Sequence, residues 1–175
     1  MEKFRSGDNE IVIRRFNEET DSIPELTELL HRAYKRLADM GLNFVATYQS
    51  DVETKKRITR GECFVVTLND TIIGTVALYK DKKTSQCEWY RKDGVCYFGQ
   101  FAVEPEYQNL GIGSKLMQFT EEHAAKSGLT EIALDTSEKA QHLIDYYVKR
   151  GYRFVQYQQW DVVNYRSVVL SKKLN

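Results

Sequence analysis

The chain has 175 residues, enough for one domain with a sizeable core. Its 25 basic and 25 acidic residues cancel, so no global field draws it to nucleic acid or to an anionic membrane. No apolar run approaches the ~20 residues of a membrane-spanning helix, and Cys63, Cys87, Cys96, His31, His123 and His142 show no metal-ligand spacing, so no metal is expected.

Residues 1–9 read as a loosely ordered tail, and Met1 to Asp8 lacks the apolar core of a signal peptide; with an odd number of cysteines this suits a reducing cytoplasm. Ile11 to Phe16 reads as a first strand. Pro24 suits the first turn of a helix whose apolar face is Leu26, Leu29, Leu30, Ala33, Tyr34 and Leu37, with Gly41 as its stop. Leu42 to Tyr48 fits either state. Ser50-Asp51-Val52-Glu53 has the pattern of a capping box and predicts a second, more polar helix to about Arg60. Cys63 to Leu68 and Ile72 to Tyr79 are rich in β-formers and are joined by Asn69-Asp70-Thr71 as a tight hairpin. Lys80 to Gly94 is a charged excursion carrying Trp89 and Tyr90, and its clusters Lys80-Asp81-Lys82-Lys83 and Arg91-Lys92-Asp93 read as solvated loops. A strand from Cys96 to Val103, a helix from Ser114 to Lys126 and a strand from Glu131 to Asp135 follow. Ser137 is placed to cap a helix to Arg150 that Gly151 ends, and Tyr152 to Trp160 and Ser167 to Leu170 form a final pair of strands. The order predicts one mixed α/β sheet with helices on its faces.

The most informative stretch is Gln108-Asn109-Leu110-Gly111-Ile112-Gly113-Ser114, between a strand and a helix. Two glycines two residues apart at a helix N-terminus expose backbone N–H groups, and these with the helix dipole favour an anion such as a diphosphate. The other phosphate motifs fail: there is no Gly-x-x-x-x-Gly-Lys-Ser/Thr, and the dinucleotide fingerprint needs a third glycine where Leu116 stands.

Phe101-Ala102-Val103-Glu104-Pro105-Glu106-Tyr107 leads into that loop, and Tyr146-Tyr147-Val148-Lys149-Arg150-Gly151-Tyr152 comes about thirty residues later. With these pieces the chain resembles the GCN5-related N-acetyltransferase (GNAT) superfamily: a strand ending in Val-x-Pro, then Gln/Arg-x-x-Gly-x-Gly/Ala, then a helix ending in Tyr-x-x-x-Gly-Tyr/Phe. The resemblance extends over nearly the whole chain and is weakest from Leu42 to Glu62, where such enzymes vary to suit their acceptors. It implies a single N-acetyltransferase domain over residues 1–175. Its fold would be the acyl-CoA N-acyltransferase type, a mixed, mostly antiparallel central sheet flanked by helices. It implies acetyl-CoA as cosubstrate, a small-molecule or peptide amine as acceptor, and a possible homodimer through the terminal strands. Gln108, Asn109, Leu110, Gly111, Ile112, Gly113 and Ser114 would hold the diphosphate, while Phe101, Ala102 and Val103 would lie beside the pantetheine arm, pairing like an added strand. Tyr147, four residues before Gly151, would be the general acid; Tyr146 points about 100° away around the helix.

Two positions depart from the family pattern. The asparagine often found seven residues before the acid tyrosine is Ala140 here, so Ser137 or Thr136 would have to serve the cofactor arm. The glutamate many relatives carry on the strand before the loop is absent from Phe98-Gly99-Gln100-Phe101, which leaves Asp135, Glu104 or a water relay as base. Tyr34, Phe44, Tyr48, Trp89, Tyr90, Tyr157, Trp160 and Tyr165 are available to wall the acceptor site. No cysteine has an evident His partner, which disfavours a covalent route. The resulting expectation is direct acetyl transfer to a primary amine in a ternary complex. The alternatives are a non-catalytic acyl-CoA-binding or regulatory domain, another acyl group, or an oxygen acceptor.

Overall fold

The computed structural model describes residues 1–6, 9–80 and 85–175. Asp81, Lys82 and Lys83 of the predicted charged loop lie outside the described residues. The elements in chain order are β1 (Glu2–Ser6), β2 (Asn9–Arg15), α1 (Ile23–Asp39), α2 (Asp51–Arg60), β3 (Glu62–Leu68), β4 (Thr71–Tyr79) and β5 (Val95–Val103). Then come α3 (Ile112–Lys126), β6 (Glu131–Ser137), α4 (Gln141–Val148), β7 (Arg153–Gln159) and β8 (Arg166–Lys173). The strands form one sheet in the order β1-β2-β3-β4-β5-β6-β8-β7. Among the described strands β5 and β6 run parallel and every other neighbouring pair antiparallel, as the acetyltransferase-type fold requires.

Local chemistry sets most boundaries. Ser22 Oγ accepts from Glu25 N at the start of α1, and Gly41 takes φ +76° just past its end. Ser50 Oγ accepts from Glu53 N at the start of α2. Asn69 and Asp70 both take positive φ, the two-residue turn whose twist suits the β3–β4 hairpin. Alternation along β3 sends Val65 toward α1 and α2 with Leu26, Leu29, Leu30 and Ile58, and sends Phe64 and Val66 to the opposite face with Leu116 and Met117 of α3. Each fully buried leucine in these layers contributes roughly 1.5–3 kcal/mol.

Three expectations need correction. Residues Glu2 to Ser6 are not tail but strand β1, hairpin-paired with β2 (Phe4 opposite Ile11). The helix after the glycine loop begins at Ile112, so Gly113 and Ser114 are already inside its first turn. Ser137 does not cap α4. It belongs to the β6 ladder opposite Ser167, its Oγ accepts from Lys139 N, and α4 starts from Ala140 without a side-chain cap.

The feature that makes a site is a split in the sheet. β5 pairs with β6 only from Val95↔Glu131 to Tyr97↔Ala133, although β5 continues to Val103 against β4. A bulge sits at the divergence. Ala102 to Gly99 spans three residue steps on β5 where Thr75 to Ala77 spans two on β4, and Gln100 takes φ +51°. The strands therefore part just beyond Tyr97 and Ala133.

Candidate active site

Into this split opens a cavity of about 1280 Å³ bordered by α1, α2, β5, the glycine loop, β6, α4 and the β7–β8 loop. At one end is the glycine loop. Asn109 and Gly111 take φ +64° and +81°, and the first hydrogen bond of α3 runs from Lys115 N to Gly111 O. Gly111 has no side chain to cap the turn, so the N–H groups of Ile112, Gly113 and Ser114 are left to a ligand. Arg150 adds charge there: Nη2 donates to Ser114 Oγ at 2.7 Å, Nη1 to Tyr146 O at 3.0 Å, and the guanidinium lies 3.5 Å from the Tyr146 ring centroid. Together these groups form a cationic, donor-rich cradle for phosphate oxygens.

The middle of the cavity is the split itself. Phe101, Ala102 and Val103 border it, but their backbone is not bare: Tyr34 Oη donates to Phe101 O at 3.2 Å and Gln108 Nε2 to Val103 O at 3.0 Å. An extended amide arm would replace these side-chain donors with its own N–H groups. Thr136, across the split on β6, is 2% exposed, and its Oγ1 makes no hydrogen bond among the described residues.

Tyr147 projects from α4 into the same space, 8% exposed, ringed by Phe98, Tyr146 and Tyr152. Burial, with Tyr34 and Tyr146 nearby, holds its phenol well above the usual tyrosine range. It is thus a protonated donor at neutral pH, and its hydroxyl makes no hydrogen bond among the described residues.

The far end has an aromatic wall. Tyr90 stacks on Tyr97 (ring centroids 4.0 Å apart), and Tyr97 packs on Tyr79 at 5.1 Å. Asp135 anchors this wall by accepting from Tyr90 Oη at 3.0 Å, Trp160 Nε1 at 2.9 Å and Ser167 Oγ at 2.8 Å. Opposite it, Gln49 links α2 to the bulge: Nε2 donates to Gln100 Oε1 at 2.9 Å and to Thr54 Oγ1, while Oε1 accepts from Arg57 Nη1 at 2.8 Å. Site and fold together define a donor-rich cradle able to hold phosphate, a strand-like channel and a walled pocket meeting at one tyrosine.

Residues 23–152 match the family model described as Acetyltransferase (GNAT) family. The chain belongs to this family. As a GNAT acetyltransferase it is an acyltransferase, which sets aside the purely binding alternative. It is 31% identical over 133 residues to the S-(2-succino)cysteine N-acetyltransferase of Bacillus subtilis (strain 168), covering 73% of this chain and 76% of that one. Among solved structures it resembles the ribosomal-protein-S18-alanine N-acetyltransferase of Escherichia coli, with 14% identity, TM-score 0.70 and coverage of 94% of each chain. It also resembles a GNAT acetyltransferase of Elizabethkingia anophelis solved with acetyl-CoA bound, with 19% identity, TM-score 0.66, and coverage of 95% of this chain and 99% of that one.

Most of the residues expected from the GNAT motifs come together in the cavity. Phe101, Ala102, Val103, Gln108, Asn109, Gly111, Gly113, Ser114, Asp135 and Tyr147 all border it. Leu110 is 55% exposed and Ile112 is buried in the core, so those two offer backbone only. Glu104 does not border the cavity; its carboxylate is held by a bidentate contact with Arg32 of α1. Of the expected wall aromatics, Trp89 packs under Lys92 and Tyr157 lies half-exposed on β7 beside Arg166, both away from the cavity. Tyr146, expected to turn aside, does reach the cavity, its ring against that of Tyr147 and under Arg150 at the glycine loop. Sequence reasoning missed Arg150, Arg57, Gln49 and the bulge at Gln100. Arg150 stood inside the quoted Tyr-Tyr-Val-Lys-Arg-Gly-Tyr segment, so its place next to the motif was the available signal.

Proposed function

We propose that this chain is an acetyl-CoA-dependent N-acetyltransferase that moves an acetyl group to the primary amine of a small molecule by direct transfer in a ternary complex. The observation that carries the reading is the continuity of one cavity from the open first turn of α3 past Tyr147 to the Asp135 wall. Acetyl-CoA supplies an acetyl thioester. The α3 turn and Arg150 hold its diphosphate, and the β5 edge with Thr136 holds its pantetheine arm, the threonine hydroxyl serving where the family often has asparagine. Tyr147 donates a proton to the leaving sulfur.

Asp135 borders the acceptor end, and its carboxylate oxygens are already engaged by Tyr90, Trp160 and Ser167. Its role in this reading is to fix Tyr90 and Trp160 and to attract the acceptor's ammonium, whose proton then leaves to solvent. Direct transfer is favoured over a cysteine relay because Cys63, Cys87 and Cys96 do not border the cavity and burial raises all three thiols, Cys63 and Cys96 to about 12. These three free, buried thiols also agree with a cytoplasmic location. Among the described residues no helix is long and apolar enough to cross a membrane.

The Bacillus subtilis relative's name makes S-(2-succino)cysteine the first acceptor to try. Thermal unfolding with acetyl-CoA, using NAD and ATP as controls, tests the cosubstrate. Saturation at 100 times the dissociation constant adds about 2.7 kcal/mol, a rise of roughly 5–10 °C for a domain this size. Initial rates with varied acetyl-CoA and amine should give intersecting lines; parallel lines would indicate an acyl-enzyme and overturn direct transfer.

A further inference from the structure

We propose that the acceptor end of the cavity binds a carboxylate, with Arg57 and Arg60 gripping an acidic group on the amine substrate. This rests on the N-acetyltransferase reading and names its substrate class: small amines that carry a carboxylate, as amino acids do. Arg57 and Arg60 lie one turn apart in the last turns of α2 and both border the cavity. Arg57 is turned inward. Nη1 donates to Gln49 Oε1, and Nη2 lies over Gly99, 3.7 Å from where a β-carbon would stand. Arg60 is laid across the wall, its guanidinium 4.5 Å from the Tyr79 ring centroid and Nη2 3.4 Å from the Tyr97 hydroxyl.

Two guanidiniums one helical turn apart on the cavity border call for an anion, and among the described residues neither forms an ion pair. Glu53 on the same face pairs with Lys56, Asp135 accepts from Tyr90, Trp160 and Ser167, and Asp161, which also borders the cavity, pairs with neither arginine. A second observation points the same way. Gln100 and Tyr79 border the cavity and are buried, and Gln100 Nε2 and the Tyr79 hydroxyl face one another with no other partner among the described residues. Gln100 Oε1 is already taken by Gln49, so the side chain presents N–H. Burial raises the Tyr79 phenol and keeps it protonated, with Arg57, Arg60 and the Gln100 amide pulling the other way, so its O–H proton is still free to donate. The unmet groups at this end are therefore donors and cations, the complement of a carboxylate and the opposite of what a polyamine needs. Tyr79, Tyr97 and Tyr90 would cover the apolar link between carboxylate and amine.

Calorimetric titration of succinate, with succinamide as the neutral control, into the free and CoA-saturated protein tests this without turnover. Succinate should bind and succinamide should not. Arg57→Gln and, as an exposed second variant, Arg60→Gln should each weaken succinate at least tenfold while leaving acetyl-CoA affinity within twofold. Wild type should acetylate S-(2-succino)cysteine and ignore spermidine. Equal binding of the two probes, unchanged succinate affinity in both variants, or preference for spermidine overturns the carboxylate site. Acetyl-CoA that fails to bind wild type overturns the acetyltransferase reading instead, and the titration of the free protein still reads the arginines.

Discussion

Arg150 Nη2 donates a 2.7 Å hydrogen bond to Ser114 Oγ, tying the end of α4 to the first turn of α3. The bond joins two motifs that are 36 residues apart and aims a cation at the free N–H groups. A charge-assisted hydrogen bond contributes about 1.5–3 kcal/mol, less where water competes. Arg150→Ala should therefore raise the acetyl-CoA dissociation constant about tenfold, measured calorimetrically, with the difference shrinking as salt rises.

The two glycines of the loop should behave differently. Gly111 holds φ +81° with nothing within 4 Å of an added β-carbon, so Gly111→Ala suffers backbone strain alone, about 1–2 kcal/mol. At Gly113 the φ is ordinary, and a β-carbon would meet Phe101, Tyr146 and Val103 at 3.5–3.7 Å, an unstrained contact. Thermal unfolding should fall by several degrees in Gly111→Ala and hold or rise in Gly113→Ala. Acetyl-CoA affinity should suffer more in the first.

What the chain order revealed was mostly local. Ser50 and Glu53 announced α2 because such a cap needs only four consecutive residues, and the Gly111 loop and the Tyr147–Gly151 spacing announced the glycine-loop end of the cavity because neighbours in sequence build it. The misses depend on contacts distant in sequence. Ser137 looked like a cap until its ladder with Ser167 was formed, and residues 2–6 looked like tail until β2 offered them an edge. Arg57 reads as an ordinary cation suited to a helix C-terminus. Only the bulge at Gln100 and the Gln49 bridge turn it into the cavity.

In the proposed reading, Thr136 serves the cofactor arm where many relatives have an asparagine. Thr136→Val keeps the shape and removes an unpartnered buried hydroxyl. The protein should be as stable or slightly more so, while the acetyl-CoA dissociation constant rises several-fold. Unchanged affinity would remove Thr136 from the cofactor site.

Tyr147→Phe should lower kcat roughly 10²-fold with little change in acetyl-CoA affinity or unfolding temperature, since the ring packing is retained. The pH dependence follows from its raised pKa. An acid works while protonated and fails as pH climbs through its pKa; with that value held well above 10, no falling limb should appear below pH 10. The rising limb belongs to the acceptor amine, and for an α-amine near ~8 the rate should grow about tenfold per unit below that and then level off. A falling limb near pH 8–9 would assign the acid to another group.

Asp135 separates an anchor from a base. Its oxygens are engaged by Tyr90, Trp160 and Ser167, so Asp135→Asn loses the charge and turns one acceptor into an N–H that faces a donor. A mismatch at a half-buried position costs about 1–3 kcal/mol, which should lower the unfolding temperature by several degrees. If Asp135 holds the wall and attracts the ammonium, the KM for the amine should rise tenfold or more while the kcat–pH profile keeps its shape. If it instead takes the proton, kcat itself should fall and be partly recovered at high pH, where the amine arrives neutral. Saturating rates of wild type and Asp135→Asn between pH 6 and 10 distinguish the two, and the three hydrogen bonds already on the carboxylate favour the first.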